Sequence, residues 1–443
     1  MLFSSLATLF ALVAIGSGAP VQESRRLSVR QANGPVVKGR YIVKLKSSVN
    51  AAVHIDSLPF AFSVADSNSP ITQSYSSDFF SGKSFWYAGD FSKTDLDAIL
   101  ASPDVDFVEE DAIFYALDQQ KNAPWSLQSI SSQTPVGGSD TNRMDYTYSY
   151  TEPAGAGVDI YIIDTGVYAE HEEFGGRASI GFAANNLPKQ DGAGHGTHCA
   201  GSAAGKTFGV AKNSNIIGVK VLADNGSGST SDIVAGLQYV VQNAKSTGRP
   251  SVGSMSLGGG TSQALDDAVR TTIAAGIQMI VAAGNSGVDA SAQSPARVPE
   301  AITVGAVDIG NVKAGFSNFG SLVDIFAPGV NITSAWIGAP DAKNKISGTS
   351  MATPHVAGLA AYLLSKEPTL TPAALTSKLL GLGTQNVITG LPSGTVNLLA
   401  YNGEGGASAP VAIPSQTTTP TDKNSCPAWW QDCFWKDWFK KSL

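Results

Sequence analysis

The chain has 443 residues, 43% hydrophobic and 15% charged, the balance of a soluble globular protein with room for one large domain and smaller parts. A net charge of −7 without any basic block argues against nucleic acid as a partner. No segment sustains the roughly 18 apolar residues that a membrane span needs, so none is expected.

Residues 1–19 have the layout of a secretory signal: an apolar run from Leu6 to Ile15, then small residues, Ser17 and Ala19 among them. Export from the cell is therefore expected. Residues 20–121 read as a small α+β domain. GRYIVKLKSS (39–48) alternates like a strand, and 95–117 reads as a short helix, a turn at Ser102-Pro103 and a strand. The polar DQQKNAPW (118–125) marks an expected exposed boundary.

Residues 122–402 alternate apolar strands with amphipathic helices. GVDIYIIDTG (157–166) is almost continuously apolar, as a buried parallel strand requires. NIIGVKVL (215–222) and IQMIVAAGN (277–285) repeat the theme. In 229–245, Ser229 and Asp232 are predicted to form a capping box, with Ile233, Val234, Leu237, Val240 and Val241 as one apolar face. This alternation predicts an α/β fold, a mostly parallel sheet with helices on both faces. In such sheets a site gathers at the carboxyl ends of the strands. Residues 403–425 read as a Gly/Pro/Thr-rich linker. Residues 426–443 form a tail with four of the chain's seven tryptophans. The three cysteines predict one local disulfide, Cys426–Cys433, and one unpaired thiol, Cys199.

An alcohol becomes a nucleophile at neutral pH when a base lies within hydrogen-bond reach, a carboxylate orients that base, and donors await the oxyanion. Asp164 ends the first apolar strand; the competing reading is a turn or cap residue. His195 opens HGTHCAG between glycines, before a helical pattern. His54, His171, His198 and His355 read as structural. The pair His195/His198 lacks the spacing and glutamate of H-E-x-x-H, so no metal is expected there. Asn285 ends another apolar strand; its amide can donate to an oxyanion or simply form a turn. Ser350 heads the helical pattern SMATPHVAGLAAYLLSK, where backbone N–H groups are unpaired. Four residues on, Pro354 has no N–H to offer the Ser350 carbonyl. The proline either shapes the first turn around the nucleophile or is merely tolerated there.

The chain order Asp, His, Ser is that of subtilisin. YIIDTGV (161–167), DGAGHGTHCAG (191–201), SLGGG (256–260), VAAGNSG (281–287) and GTSMATPHVAG (348–358) together resemble subtilisin-type serine proteases, and within them proteinase K and the secreted fungal enzymes related to it. The resemblance covers about residues 122–402. It implies that 20–121 is an inhibitory propeptide, removed by self-cleavage within 116–121. It implies that Asp164 orients His195, that His195 is general base and then acid, that Ser350 forms the acyl-enzyme, and that Asn285 donates to the oxyanion. Substrate is then held as an added strand between Gly226-Ser227-Gly228 and Ser256-Leu257-Gly258. Small uncharged pocket walls imply a broad preference for apolar or aromatic residues before the cut. Cys199 resembles the family's buried thiol beside the histidine.

No cofactor is implied for catalysis. RVPEAITVG and SLVDIFAPG resemble a structural calcium site made by the Asp324 carboxylate and the carbonyls of Pro299 and Ala301. Of the two glycosylation sequons, Asn225 lies in the substrate edge, so Asn331 is the expected site. In the tail, Trp430, Phe434 and Trp438 suit an amphipathic helix at a cell-wall or membrane surface. A Cys426–Cys433 bridge conflicts with that helix, because about 10 Å of helical rise exceeds the roughly 7 Å that a disulfide spans. The third reading is a tail that packs back or is trimmed. The expectation is a monomeric secreted endopeptidase made as a zymogen. The alternatives are a non-catalytic cell-wall-binding protein on the same fold, and an esterase using the same acyl chemistry.

Overall fold

A computed structural model describes residues 27–31, 36–59, 69–75, 85–112, 117–184 and 187–404. The signal segment, nearly all of the linker and the tail with Cys426 and Cys433 lie outside the described residues. The chain falls into two compact units, Met1–Phe114 and Tyr115–Leu443.

In the first unit the elements run β1 Val29–Arg30, β2 Val36–Leu45, α1 Ala51–Ser57, β3 Ile71–Tyr75, β4 Trp86–Asp90, α2 Lys93–Ala101 and β5 Val105–Ala112. The strands form one sheet in the order β1-β5-β2-β4-β3. Strand β2 is central and antiparallel to both neighbours. Val43, Leu45, Tyr87, Ile99 and Val108 form the core. Ser92 starts α2 with a complete capping box to Asp95. The expected helix, turn and strand are present as Lys93–Ala101 and Val105–Ala112, the helix starting two residues earlier than read; 113–116 lie outside the described residues.

In the second unit β6 (Leu117–Ala123), α3 (Trp125–Ile130) and β7 (Tyr146–Thr151) precede the main sheet. The stretch expected as a boundary is itself strand β6, antiparallel to β7, with Gln119, Lys121 and Asn122 exposed. Its polar side chains suit a two-stranded ribbon, whose outer face stays wet. Next come β8 Asp159–Asp164, β9 Ala178–Ala183, α4 His195–Ala204, β10 Asn215–Lys220, α5 Thr230–Thr247, β11 Ser251–Met255, α6 Gln263–Ala274 and β12 Gln278–Ala282. The unit ends with β13 Ile302–Val307, β14 Ile325–Pro328, the hairpin β15 Ile332–Ala335 and β16 Lys343–Ile346, α7 Thr349–Lys366, α8 Pro372–Leu382, β17 Thr384–Gln385 and β18 Leu398–Leu399.

Nine strands form one sheet in the order β17-β18-β14-β13-β12-β11-β8-β10-β9, parallel except for β17. Alternation along β8 divides the core. Ile160 and Ile162 join the cluster with α4 and α7, while Tyr161 and Ile163 join that with α5 and α6. Helix α5 starts at Ser229, whose Oγ accepts the Asp232 N–H (3.1 Å) and donates to the Asp232 carboxylate (2.7 Å). The chain steps outward from β8 to β9 and β10 on one side, then returns to β11 on the other. That reversal opens a crevice at the carboxyl end of β8.

Candidate active site

Asp164 is the last residue of β8 and is fully buried. Its Oδ1 accepts the Thr165 N–H (2.7 Å) and lies 2.7 Å from His195 Nδ1. A carboxylate only accepts, so in the neutral imidazole Nδ1 carries the proton and Nε2 presents its lone pair. His195 is the first residue of α4, with its side chain 19% exposed. Desolvation pulls its pKa down, but the charge and hydrogen bond of Asp164, with help from Asp191, outweigh that and raise it. Nε2 has no hydrogen-bond partner among the described residues.

Ser350 is the second residue of α7. Its Oγ donates to the Ser256 carbonyl (3.2 Å), not to His195. Such contacts are often loose without substrate and tighten when it binds. The Ser350 carbonyl, which Pro354 leaves without its helical partner, accepts from Ser256 Oγ (2.9 Å) and Cys199 Sγ (3.4 Å). The proline's missing N–H is thus replaced by two side chains from other elements, which tie the first turn of α7 to the end of β11 and to α4.

Asn285 follows β12. Its Oδ1 accepts Thr349 N–H (2.8 Å) and Thr349 Oγ1 (2.9 Å), so Nδ2 is the end left to donate elsewhere. Gly348 lies beside that nitrogen: a Cβ there would sit 3.5 Å from Nδ2. Asp164, Ser256 and Asn285 thus stand at or just beyond the carboxyl ends of three neighbouring strands, and α7 lifts Ser350 to the same edge.

Residues 155–388 match the profile of the Subtilase family. The chain belongs to this family. It is 43% identical over 408 residues to the cuticle-degrading protease of Metarhizium anisopliae, covering 90% of this chain and 99% of that one. It is 43% identical over 403 residues to the alkaline serine protease ver112 of Corniculantispora psalliotae, covering 90% and 99%. A crystal structure of a cold-adapted subtilisin-like serine proteinase superposes with a TM-score of 0.58 at 46% identity, covering 63% of this chain and 98% of that one. The protein is a subtilisin-type serine endopeptidase, and the family needs no catalytic cofactor.

In this subtilase the other sequence-marked residues fall as follows. Gly226 (φ 77°) sits in a turn closed by Asn225 Oδ1, which accepts Ser227 N–H (3.0 Å) and Oγ–H (2.8 Å). Ser227, Gly228 and Gly258 are exposed, whereas Ser256 and Leu257 are buried. A Cβ on Gly228 would strike the Val221 carbonyl at 2.4 Å, so the edge can run close to the sheet only with glycine. His198 bonds the Ile332 carbonyl (2.9 Å) and burial pushes its pKa down to about 3. His355 bonds the Met351 carbonyl (2.8 Å) and is pushed down to about 4. His171 caps a short 3-10 turn. His54 belongs to the first unit. Burial, then the Asp164 charge, raises the Cys199 pKa, so the thiol stays protonated and is a weak donor rather than a nucleophile.

Asp324 precedes β14; its Oδ2 accepts the Thr303 N–H (2.8 Å), and burial pushes its pKa up to about 6. Ala301 is buried and Pro299 exposed. Asn331 is exposed, with φ 53°. Among the described residues the only close cluster of three metal-capable side chains is Asp164, His195 and Cys199 itself. No described helix is long and apolar enough to cross a membrane.

Two participants were missed from sequence. Ser256 was noted for its backbone, but its hydroxyl holds Ser350. Asp191, within the quoted DGAGHGTHCAG, accepts five hydrogen bonds around His195. The only signal for it was an aspartate in a glycine-rich loop four residues before the histidine.

Proposed function

We propose that the chain is a secreted endopeptidase, made as a zymogen, that cleaves peptide bonds through a Ser350 acyl-enzyme. The observation that carries this is the Asp164–His195 pair at 2.7 Å with Nε2 unpartnered, clustered with Cys199, whose Sγ lies 3.4 Å from the carbonyl of Ser350 at the head of a buried helix. When substrate lies between 226–228 and 256–258, Ser350 Oγ leaves the Ser256 carbonyl and turns to Nε2. It attacks the scissile carbonyl carbon while His195 takes its proton. The oxyanion is held by Asn285 Nδ2 and the Ser350 N–H. As the C–N bond breaks, His195 gives the proton to the leaving amine. Water, deprotonated by His195, then releases the acid. The walls around Ser256–Gly259 and Ala282–Gly284 carry no charge, which suits apolar or aromatic side chains before the cut.

Residues 1–19 are the export signal, and 20–121 the propeptide that inhibits until it is cut within 116–121. A calcium ion held by Asp324 and the carbonyls of Pro299 and Ala301 is part of the same reading. Its support is a carboxylate that burial leaves poorly solvated with one N–H on Oδ2, where a hard cation would favour the charged form. Asn331 is the glycan site.

The test compares secreted wild type with Ser350→Ala by mass and N-terminal sequence. Wild type is expected to begin near residues 117–122 and to hydrolyse peptides, while Ser350→Ala keeps 20–121 attached and is inactive. Identical processing of both, with a wild type that cleaves no peptide, would favour a wall-binding protein instead.

A further inference from the structure

We propose that Asp191 is a positioning residue for the acyl-transfer reaction, a single carboxylate that ties the strand end carrying Asp164 to the helix start carrying His195. The inference rests on the roles given above to Asp164, His195 and Ser350.

Asp191 is 7% exposed and lies in the loop before α4. Its Oδ1 accepts Thr165 Oγ1–H (2.9 Å), Ala193 N–H (3.0 Å) and Gly194 N–H (2.9 Å). Its Oδ2 accepts Thr197 N–H (2.9 Å) and Thr197 Oγ1–H (2.6 Å). Thr165 is the residue after Asp164, and Thr197 lies two residues into α4. The links continue outward. Thr165 Oγ1 accepts the Gly196 N–H (3.0 Å), and the Thr165 carbonyl accepts the buried Lys220 Nζ (2.6 Å). Thr197 Oγ1 accepts the Tyr168 N–H (2.9 Å). The geometry of the Asp164–His195 pair is therefore set through Asp191, not only by that pair's own hydrogen bond.

The site demands a carboxylate. Five donors converge and none of Asp191's neighbours in this network needs a proton back. An ionised carboxylate accepts at both oxygens, whereas an amide would turn its NH2 toward one of the two donor sets. The loop has no slack to adjust. A Cβ on Gly166 would meet the Gln190 carbonyl at 3.0 Å and Asp191 backbone at 3.2 Å, and one on Gly194 would strike the Trp336 ring at 2.6 Å.

The second consequence is electrostatic. The titratable groups around His195 are Asp164 on β8, Asp191 on the loop, and Cys199 and His198 on α4. The thiol and His198 are neutral, so Asp164 and Asp191 supply the negative charge that favours the imidazolium formed as Ser350 attacks. Lys220 and Asp224 pair with each other next to Thr165 (2.6 Å).

The experiment measures kcat, KM and the pH dependence of kcat/KM for Asp191→Asn, Thr165→Val and Thr165→Ser. Active sites are counted with a serine-directed acylating reagent, so that only folded enzyme is scored. Asp191→Asn is expected to lower kcat about 10²-fold with KM nearly unchanged, the scale of a small misplacement of catalytic groups. Its acid limb moves to lower pH, because a charge favouring the imidazolium is gone. Thr165→Val slows kcat and Thr165→Ser restores it. A wild-type kcat in Asp191→Asn, or a lower kcat with the acid limb unmoved, overturns the proposal. Should Asp191→Asn yield no folded enzyme, the Thr165 pair decides: slow Val with restored Ser supports it, and equal rates overturn it. A wild type without peptidase activity would instead sink the catalytic reading, which is a separate failure.

Discussion

Ser350 and Asn285 show how single side chains are committed by their second contacts. In the proposed mechanism Asn285 can donate to the oxyanion because Thr349 occupies its oxygen from two directions, leaving Nδ2 as the free end of the amide. Asn285→Ala is therefore expected to lower kcat about 10²–10³-fold with little change in KM, a magnitude set by the corresponding donor in another subtilisin-like enzyme. Steady-state kinetics on titrated enzyme checks this; an equal fall in substrate affinity would point to a binding role. Sequence placed the amide at a strand end but could not orient it, because the two nitrogen and oxygen ends are set by Thr349, 64 residues away.

Helix α7 is buried over nearly its whole length, so it reads from sequence as continuously apolar rather than amphipathic. Its proline was legible; the replacement for the lost hydrogen bond was not. A buried carbonyl without partners costs about 1–3 kcal/mol, which is what Ser256 and Cys199 avert. In the Ser350→Ala background, Ser256→Ala leaves this carbonyl with only the weak Cys199 donor and is expected to destabilise by the lower end of that range, about 1 kcal/mol. In Pro354→Ala the new N–H offers the carbonyl another partner, so the same Ser256→Ala change should cost less. Denaturant unfolding of the four proteins gives the coupling directly. Additive effects would mean that Ser256 stabilises through something other than this carbonyl.

Taken as a whole, the molecule has two units for which opposite responses to pH are expected. In the first, His54 is buried against Tyr87 Oη (3.2 Å), Asp104 (3.3 Å) and Ser102 Oγ (3.4 Å). Desolvation lowers its pKa, with Asp104 opposing. The unfolded chain therefore takes up a proton near pH 6.5 that the folded unit resists. Stability is complete above that pH and declines as pH falls below it. Amide exchange in the full-length Ser350→Ala chain should show the core around Tyr87 opening faster at pH 5 than at pH 8, with His54→Gln flattening the difference. In the second unit the raised pKa of Asp324 has the opposite sign. The folded carboxyl holds its proton up to about pH 6, so its ionisation costs stability as pH rises from about 4 to 6. Calcium should reverse that cost. Millimolar calcium is expected to raise Tm at pH 8, to do little at pH 4, and to have no effect on Asp324→Asn; a calcium shift that survives that substitution would place the ion elsewhere.

The sequence by itself determined the sheet, its apolar strands, the helix starts and the residue types needed for acyl chemistry, because strand burial, capping and glycine turns are local and leave a periodic trace. Asp164, His195, Asn285 and Ser350 could be proposed from sequence because each stands at the end of such a trace. Only the tertiary structure decided what lies between them. The Asp191 carboxylate has donors just after β8, on its own loop and on α4, and Ser256 meets Ser350 across 94 residues. Neither contact has a period, since both depend on where the sheet and helices bring separate loop ends together. The strand at Leu117–Ala123 was hidden for a related reason: its pairing with β7 is a long-range choice that its polar side chains do not advertise.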